Sequence, residues 1–322
     1  SISITAGLAF YLVNKKLIKI VNSNLNSSSE MNKLISFSWP LMLGSISIFV
    51  MSWTDTIMIG GFLSTYQVGI YNVSVLLSRI FSYIVAFLGL IFLPVITQLY
   101  AKNRSNELKE VYYSVTKWIF IINLPLFIYI IIFSKSLLGI LFGKEYIIGN
   151  IALSILALGF FIDSSTGPIG AITITYGKTK INMIFWIIGL ISNIFLNLLF
   201  IPNYGINGAA IATCLSYILV TIIFYSYNYH YMGIRLYNNK YIYIIFSTFL
   251  SSILVLVISK YFLKDFTFIS LLISFFFYIF TYILMLFVMK SFDKNDIYII
   301  NIFLRKIKIN HYYMDKLINH LG

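Results

Sequence analysis

Residues 241–259, YIYIIFSTFLSSILVLVIS, and residues 266–289, FTFISLLISFFFYIFTYILMLFVM, are two apolar runs without a single Asp, Glu, Lys or Arg. Each is close to the ~20 residues that an α-helix needs to cross a hydrocarbon core, whereas barrel strands are ~10 residues long and alternate in character. Inside a bilayer every backbone donor and acceptor needs an internal partner, and a helix supplies it within one segment. The same signal recurs along the chain. Of its 322 residues 60% are hydrophobic and only 10% charged, with a mean hydropathy of +0.90. That is too little polar surface for a domain facing water on all sides, since soluble domains carry about 25% charged residues.

Eight full spans are expected at 34–59, 66–99, 118–134, 149–173, 181–202, 206–229, 241–259 and 266–289. The second is longer than a bilayer requires and is expected to protrude or bend, with Pro94 near one end. The apolar stretch 2–13 is too short to cross and reads as the end of a truncated span, followed by a linker at 14–33. No large soluble domain interrupts the series.

The net charge of +13 does not indicate nucleic acid, because the basic residues are scattered between apolar runs. They alternate. Of the 23 Lys and Arg residues, 18 fall on one set of loops, around 15–33, 102–117, 178–180, 235–240 and 290–316. The opposite loops hold Lys135, Lys144, Lys260 and Lys264. Cytoplasmic loops retain positive charge, so the richer set and the C-terminus are expected to be cytoplasmic. The tail at 291–322 interleaves Ile299, Phe303, Leu304 and Ile307 with Arg305, Lys306 and Lys308, which suits a basic amphipathic helix on the membrane surface.

The lone Cys214 excludes an internal disulfide and reads as a small buried hydrophobe. His230, His311 and His320 are too far apart for a local metal motif, so no metal or other cofactor is expected. Acids suited to a membrane glycosyltransferase or polymerase are also lacking: the outer loops offer only Glu145 and Asp265, and no enzyme active site is expected.

Three ionisable residues fall inside spans: Asp55, Arg79 and Asp163. Each costs ~2.5–3.5 kcal/mol near the bilayer centre on insertion scales, so each is expected to face a cavity or a partner. Their depths make Arg79 and Asp163 the expected pair. An arginine there suits an anionic headgroup, because its planar fork meets two phosphate oxygens. Asp163 and Asp55 are candidates to couple transport to a proton or a sodium ion. Asp163 leads into Ser164, Ser165, Thr166, Gly167 and Pro168, where a helix break is expected, with Gly167 and Pro168 as hinge. Interrupted midplane helices point to transporter sites. Asn193 and Asn197 lie one turn apart on one face, and with Asn72 and Asn123 they are candidates to bind sugar hydroxyls; interhelical hydrogen bonding is the alternative for each.

The stretch 201–213, IPNYGINGAAIAT, resembles the segment between two late helices of the polysaccharide flippase branch of the multidrug/oligosaccharidyl-lipid/polysaccharide exporter superfamily. The stretches 53–72, WTDTIMIGGFLSTYQVGIYN, 94–102, PVITQLYAK, and 138–146, LGILFGKEY, are similar to further parts of that family in the same order. The resemblance implies an all-α, multi-pass transmembrane helical bundle. In it, 1–13 ends the first lobe, 34–229 forms the second, six-helix lobe of a two-lobe exporter, and 230–290 adds two extra C-terminal helices. It further implies that a lipid-pyrophosphate-linked oligosaccharide is flipped across the cytoplasmic membrane by alternating access, with membrane lipids as the other partners and no nucleic acid. Asp55 and Arg79 fall where related proteins often hold charged cavity residues. A cation-coupled multidrug antiporter of the same superfamily is the rival reading, against which a midplane arginine argues.

Overall fold

The computed structural model describes residues 27–234, 240–262, 267–289 and 291. The expected truncated span and the basic tail lie outside these residues. The described chain is a bundle of helices: α1 (Ser27–Phe62), α2 (Thr65–Ser78), α3 (Ile80–Ala101), α4 (Ser105–Leu141), a 3-10 turn (Lys144–Gly149), α5 (Asn150–Ser165), α6 (Ile169–Thr175), α7 (Thr179–Met232), α8 (Lys240–Phe262) and α9 (Phe268–Val288). Among the described residues seven helical stretches are long and apolar enough to cross a membrane, and the chain is a multi-pass membrane protein. Its outer surface is oily, with Ile57, Leu90, Phe276 and Val288 each about two-thirds or more exposed (70%, 78%, 67% and 72%). Polar groups are turned inward instead: Asn123, Asn193, Asn197 and Asn228 are fully buried.

Seven stretches and eight expected spans agree once α7 is followed along its length. Its 54 residues form two helical arms that reverse at Gly205. There φ is 58° and ψ −136°, a conformation that residues with a β-carbon rarely adopt. Three residues later Gly208 sits so close to the Phe200 carbonyl that a β-carbon would lie 2.1 Å from its oxygen. The arms then pair antiparallel, Asn193 meeting Thr213 at 3.1 Å and Gly189 abutting Val220.

The second expected span contains a local interruption, and it falls at Arg79, between α2 and α3, while α3 continues through Pro94. The reason is local. A proline inside a helix frees the carbonyl four residues earlier, and a bundle tolerates this where that carbonyl finds a new donor. At Pro125 in α4 the donor is visible: the Tyr282 hydroxyl of α9 bonds to the Ile121 carbonyl at 2.8 Å. A second clamp between these helices joins Tyr129 to the Leu271 carbonyl at 2.9 Å and to Ser274 at 2.8 Å.

α1 runs parallel to the first arm of α7, with Gly44 against Met183, Met51 against Gly189 and Leu63 against Gly205. α5 runs parallel to the second arm, where Gly159 lets the backbone of Cys214 approach so closely that a β-carbon would be 2.8 Å from its α-carbon. Loops therefore segregate to two ends. The rings of Tyr100 and Tyr176 meet at a tilt, centroids 4.8 Å apart, and Gly233 lies beside the Lys109 ammonium at one end, whereas Leu63 meets Gly205 at the other.

Candidate functional site

Asp55 lies on α1 and is 5% exposed, so its carboxyl group relies on protein partners alone. Four side chains from three other segments donate to it. Asn193 and Asn197, on the first arm of α7, donate their amide nitrogens to Oδ1 at 3.2 and 2.6 Å. Thr213, on the second arm, and Tyr71, on α2, donate hydroxyls to Oδ2, each at 2.5 Å. Within the cage Asn197 also donates to Asn193 at 3.2 Å, and Asn193 to Thr213 at 3.1 Å. Asn197 Oδ1 remains buried without a hydrogen-bond partner.

The one-turn spacing of Asn193 and Asn197 puts both amides on the α1 side of their arm, as the sequence leads one to expect. Thr213 and Tyr71 carry no such mark in the sequence. Their hydroxyls count only because the α7 hairpin and the α1–α2 turn fold them onto the same carboxylate.

Arg79 stands at the α2–α3 junction, half-buried, and its Nη2 donates to the Ser52 carbonyl of α1 at 3.4 Å. It shares a small cavity, about 20 Å³ in volume, with Asp55, Thr213 and Tyr217. Arg79 is thus associated with Asp55, not with Asp163 as its sequence depth suggests. Depth along a span says nothing about which way a helix is rotated, and Ser52 and Asp55 share the face of α1 that meets α2.

Asp163 lies in the last turn of α5, just before the expected break, and lines a different and larger cavity of about 420 Å³. The break itself is built as expected: α5 stops at Ser165, Gly167 takes φ +62°, and α6 restarts at Ile169 after Pro168. α4 pins it from behind, through the Tyr112 hydroxyl on the Thr166 carbonyl at 2.5 Å and the Asn123 amide on Ser164 Oγ at 2.8 Å. Asn123 is therefore spent on holding the break. Asn72 is exposed on α2 and accepts from Thr56 at 2.9 Å, away from the Asp55 cage.

One face of the second α7 arm joins these groups. Thr213, Tyr217 and Thr221 recur every four residues, a rise of about 6 Å per step. Thr213 meets Asp55, Tyr217 lies within electrostatic reach of Asp55, Arg79 and Asp163, and Thr221 lines the Asp163 cavity.

Comparison with known proteins gives a consistent picture. Residues 7–148 match the family model described as "Polysaccharide biosynthesis protein". A probable low-salt glycan biosynthesis flippase of Haloferax volcanii is 29% identical over 220 residues, covering 67% of this chain and 46% of that protein. The capsular polysaccharide biosynthesis protein CapF of Staphylococcus aureus is 27% identical over 221 residues, covering 67% of this chain and 54% of that protein. In three dimensions the chain is similar to the lipid II flippase MurJ in an inward closed conformation. The TM-score is 0.60 at 16% identity, over 94% of this chain and 60% of MurJ, which is a likeness of fold. The chain spans about half the length of the curated relatives it matches.

Proposed function

We propose that the chain belongs to the polysaccharide flippase branch of the multidrug/oligosaccharidyl-lipid/polysaccharide exporter superfamily, supported by the match of residues 7–148 and by the similarity to the Haloferax and Staphylococcus proteins, and that it is a working part of a transporter that flips a lipid-pyrophosphate-linked oligosaccharide across the cell membrane by alternating access. The observation that carries this reading is Arg79: a guanidinium held at a helix junction inside an apolar bundle, half-buried, and committed to no more than a 3.4 Å bond to a carbonyl. A cation kept at that depth costs free energy unless an anion visits it, and the pyrophosphate of a lipid-linked glycan is such an anion. Asp55 shares the cavity while its oxygens are taken up by Asn193, Asn197, Thr213 and Tyr71, so its negative charge opposes a phosphate arriving at the arginine. In this reading a proton or sodium ion arriving at Asp55, beside Asn197 Oδ1, neutralises that charge and lets a phosphate settle on Arg79. Gly167 and Pro168 provide the hinge, and the loops rich in Lys and Arg face the cytoplasm.

The test is Arg79→Ala in the intact protein, with glycan export as the readout and membrane abundance as the control. Export falls at least tenfold at normal abundance if the reading is right. Undiminished export assigns Arg79 to helix packing and removes the support for a phosphate site.

A further inference from the structure

The cavity beside Asp163 is larger than the one at Arg79 by far, about 420 against 20 Å³, and lies within the range of small-molecule sites. Its wall combines three kinds of group. Asp163 supplies two acceptor oxygens, Ser82 and Thr221 supply hydroxyls, and Trp186 and Phe224 supply aromatic rings, tilted to each other with centroids 5.9 Å apart. Gly167 and Gly170 bring the backbone of the break into the same wall. Among the described residues no Lys or Arg lines it.

This combination matches a sugar ring. A pyranose presents an apolar C–H face, which an indole covers, and a rim of hydroxyls, which a carboxylate and neighbouring hydroxyls satisfy in both donor and acceptor roles. A phosphate would be repelled by Asp163. An organic cation would gain from Asp163 and Trp186, yet the Arg79 guanidinium lines the neighbouring cavity with Tyr217, one helical step along the second α7 arm from Thr221, and opposes a second positive charge. The same step suits a glycosyl pyrophosphate, whose first sugar is bonded directly to phosphate.

We infer that the Asp163 cavity is the glycan subsite of the transporter, receiving a sugar ring of the lipid-linked substrate against Trp186 with its hydroxyls on Asp163, Thr221 and Ser82. The inference rests on the flippase reading above and adds to it a division of labour: Arg79 holds pyrophosphate, and the broken-helix cavity reads the sugar.

Binding to the intact protein in lipid nanodiscs separates the two. The probes are a polyprenyl pyrophosphate without sugar and the same lipid carrying a hexose or an N-acetylhexosamine. The wild-type protein binds at least one glycosylated lipid about tenfold or more tightly than the bare one. Asp163→Asn and Trp186→Leu each abolish that advantage while the bare lipid binds within twofold of wild type, which also shows that the variants are folded. Should one variant lose the bare lipid as well, the other and Ser82→Val decide. Equal binding of all lipids by the wild type, or an advantage that survives in the variants that still bind the bare lipid, overturns the glycan subsite. Competition by tetraethylammonium that Asp163→Asn removes, with no sugar advantage, makes it a cation site and overturns it likewise. Failure of the wild type to bind any pyrophosphate lipid is a different result: it sinks the flippase reading on which the subsite depends.

Discussion

Asn197 donates its amide to Oδ1 of Asp55 at 2.6 Å, although 142 residues separate the two in the chain. The bond ties α1 to the first arm of α7 at the centre of a cage that also holds Asn193, Thr213 and Tyr71. Interhelical hydrogen bonds in membranes are worth about 1–2 kcal/mol in model peptides, and a charged acceptor favours the upper end. A double-mutant cycle on thermal unfolding in detergent, using Asn197→Ala and Asp55→Leu, should give a coupling of about 0.6–1.7 kcal/mol, from the mean to the upper end of such cycles in membrane proteins. Strictly additive effects would mean that the cage positions these groups without stabilising the bundle.

The α7 hairpin depends on Gly208 having no side chain, because a β-carbon would collide with the Phe200 carbonyl at 2.1 Å. Gly208→Ala should lower the folded yield sharply and reduce the unfolding midpoint. Gly61 has nothing within 4 Å of its would-be β-carbon. Gly61→Ala should be neutral or stabilising by up to about 1 kcal/mol, the difference in helix propensity. Fluorescence-detected size exclusion of the two variants makes the comparison, and similar profiles would contradict the hairpin geometry.

Pro125 and Tyr282 should behave as a compensating pair. Tyr282→Phe strips the donor from the Ile121 carbonyl, at a cost of about 1 kcal/mol or more for a buried acceptor. Pro125→Ala returns a backbone N–H to that carbonyl. The double variant should accordingly be more stable than Tyr282→Phe alone, as judged by unfolding midpoints. A double variant that is less stable would show that the tyrosine acts by packing and not by replacing the missing helical bond.

Topology has a direct check because Cys214 is the single cysteine and is buried. In a Cys214→Ala background, Asn103→Cys and Gly177→Cys lie at the end of the bundle that carries Lys102, Arg104 and Lys178, and Ser64→Cys lies at the opposite end beside the Leu63–Gly205 contact. A membrane-impermeant maleimide should label Ser64→Cys in intact cells and the other two only after permeabilisation. Labelling of all three from outside would overturn the assignment of the basic loops to the cytoplasm.

Much of this architecture is written locally, in the chain itself. Length and hydropathy mark the helices, and the reversal after Pro202 and the break at Gly167–Pro168 are visible because proline and glycine act on their own backbone. Asn193 and Asn197 share a face by helical spacing alone. Rotation of one helix about its axis relative to another is set by side-chain packing, and no local pattern encodes it. That is why Arg79 came to lie with Asp55 and not Asp163, why Tyr71 and Thr213 joined the cage unannounced, and why Asn72, beside Tyr71 in the chain, is exposed and bonded to Thr56. The residues able to do polar chemistry in an oily chain are countable from the sequence; which of them meet is decided only when eight apolar cylinders find their mutual register.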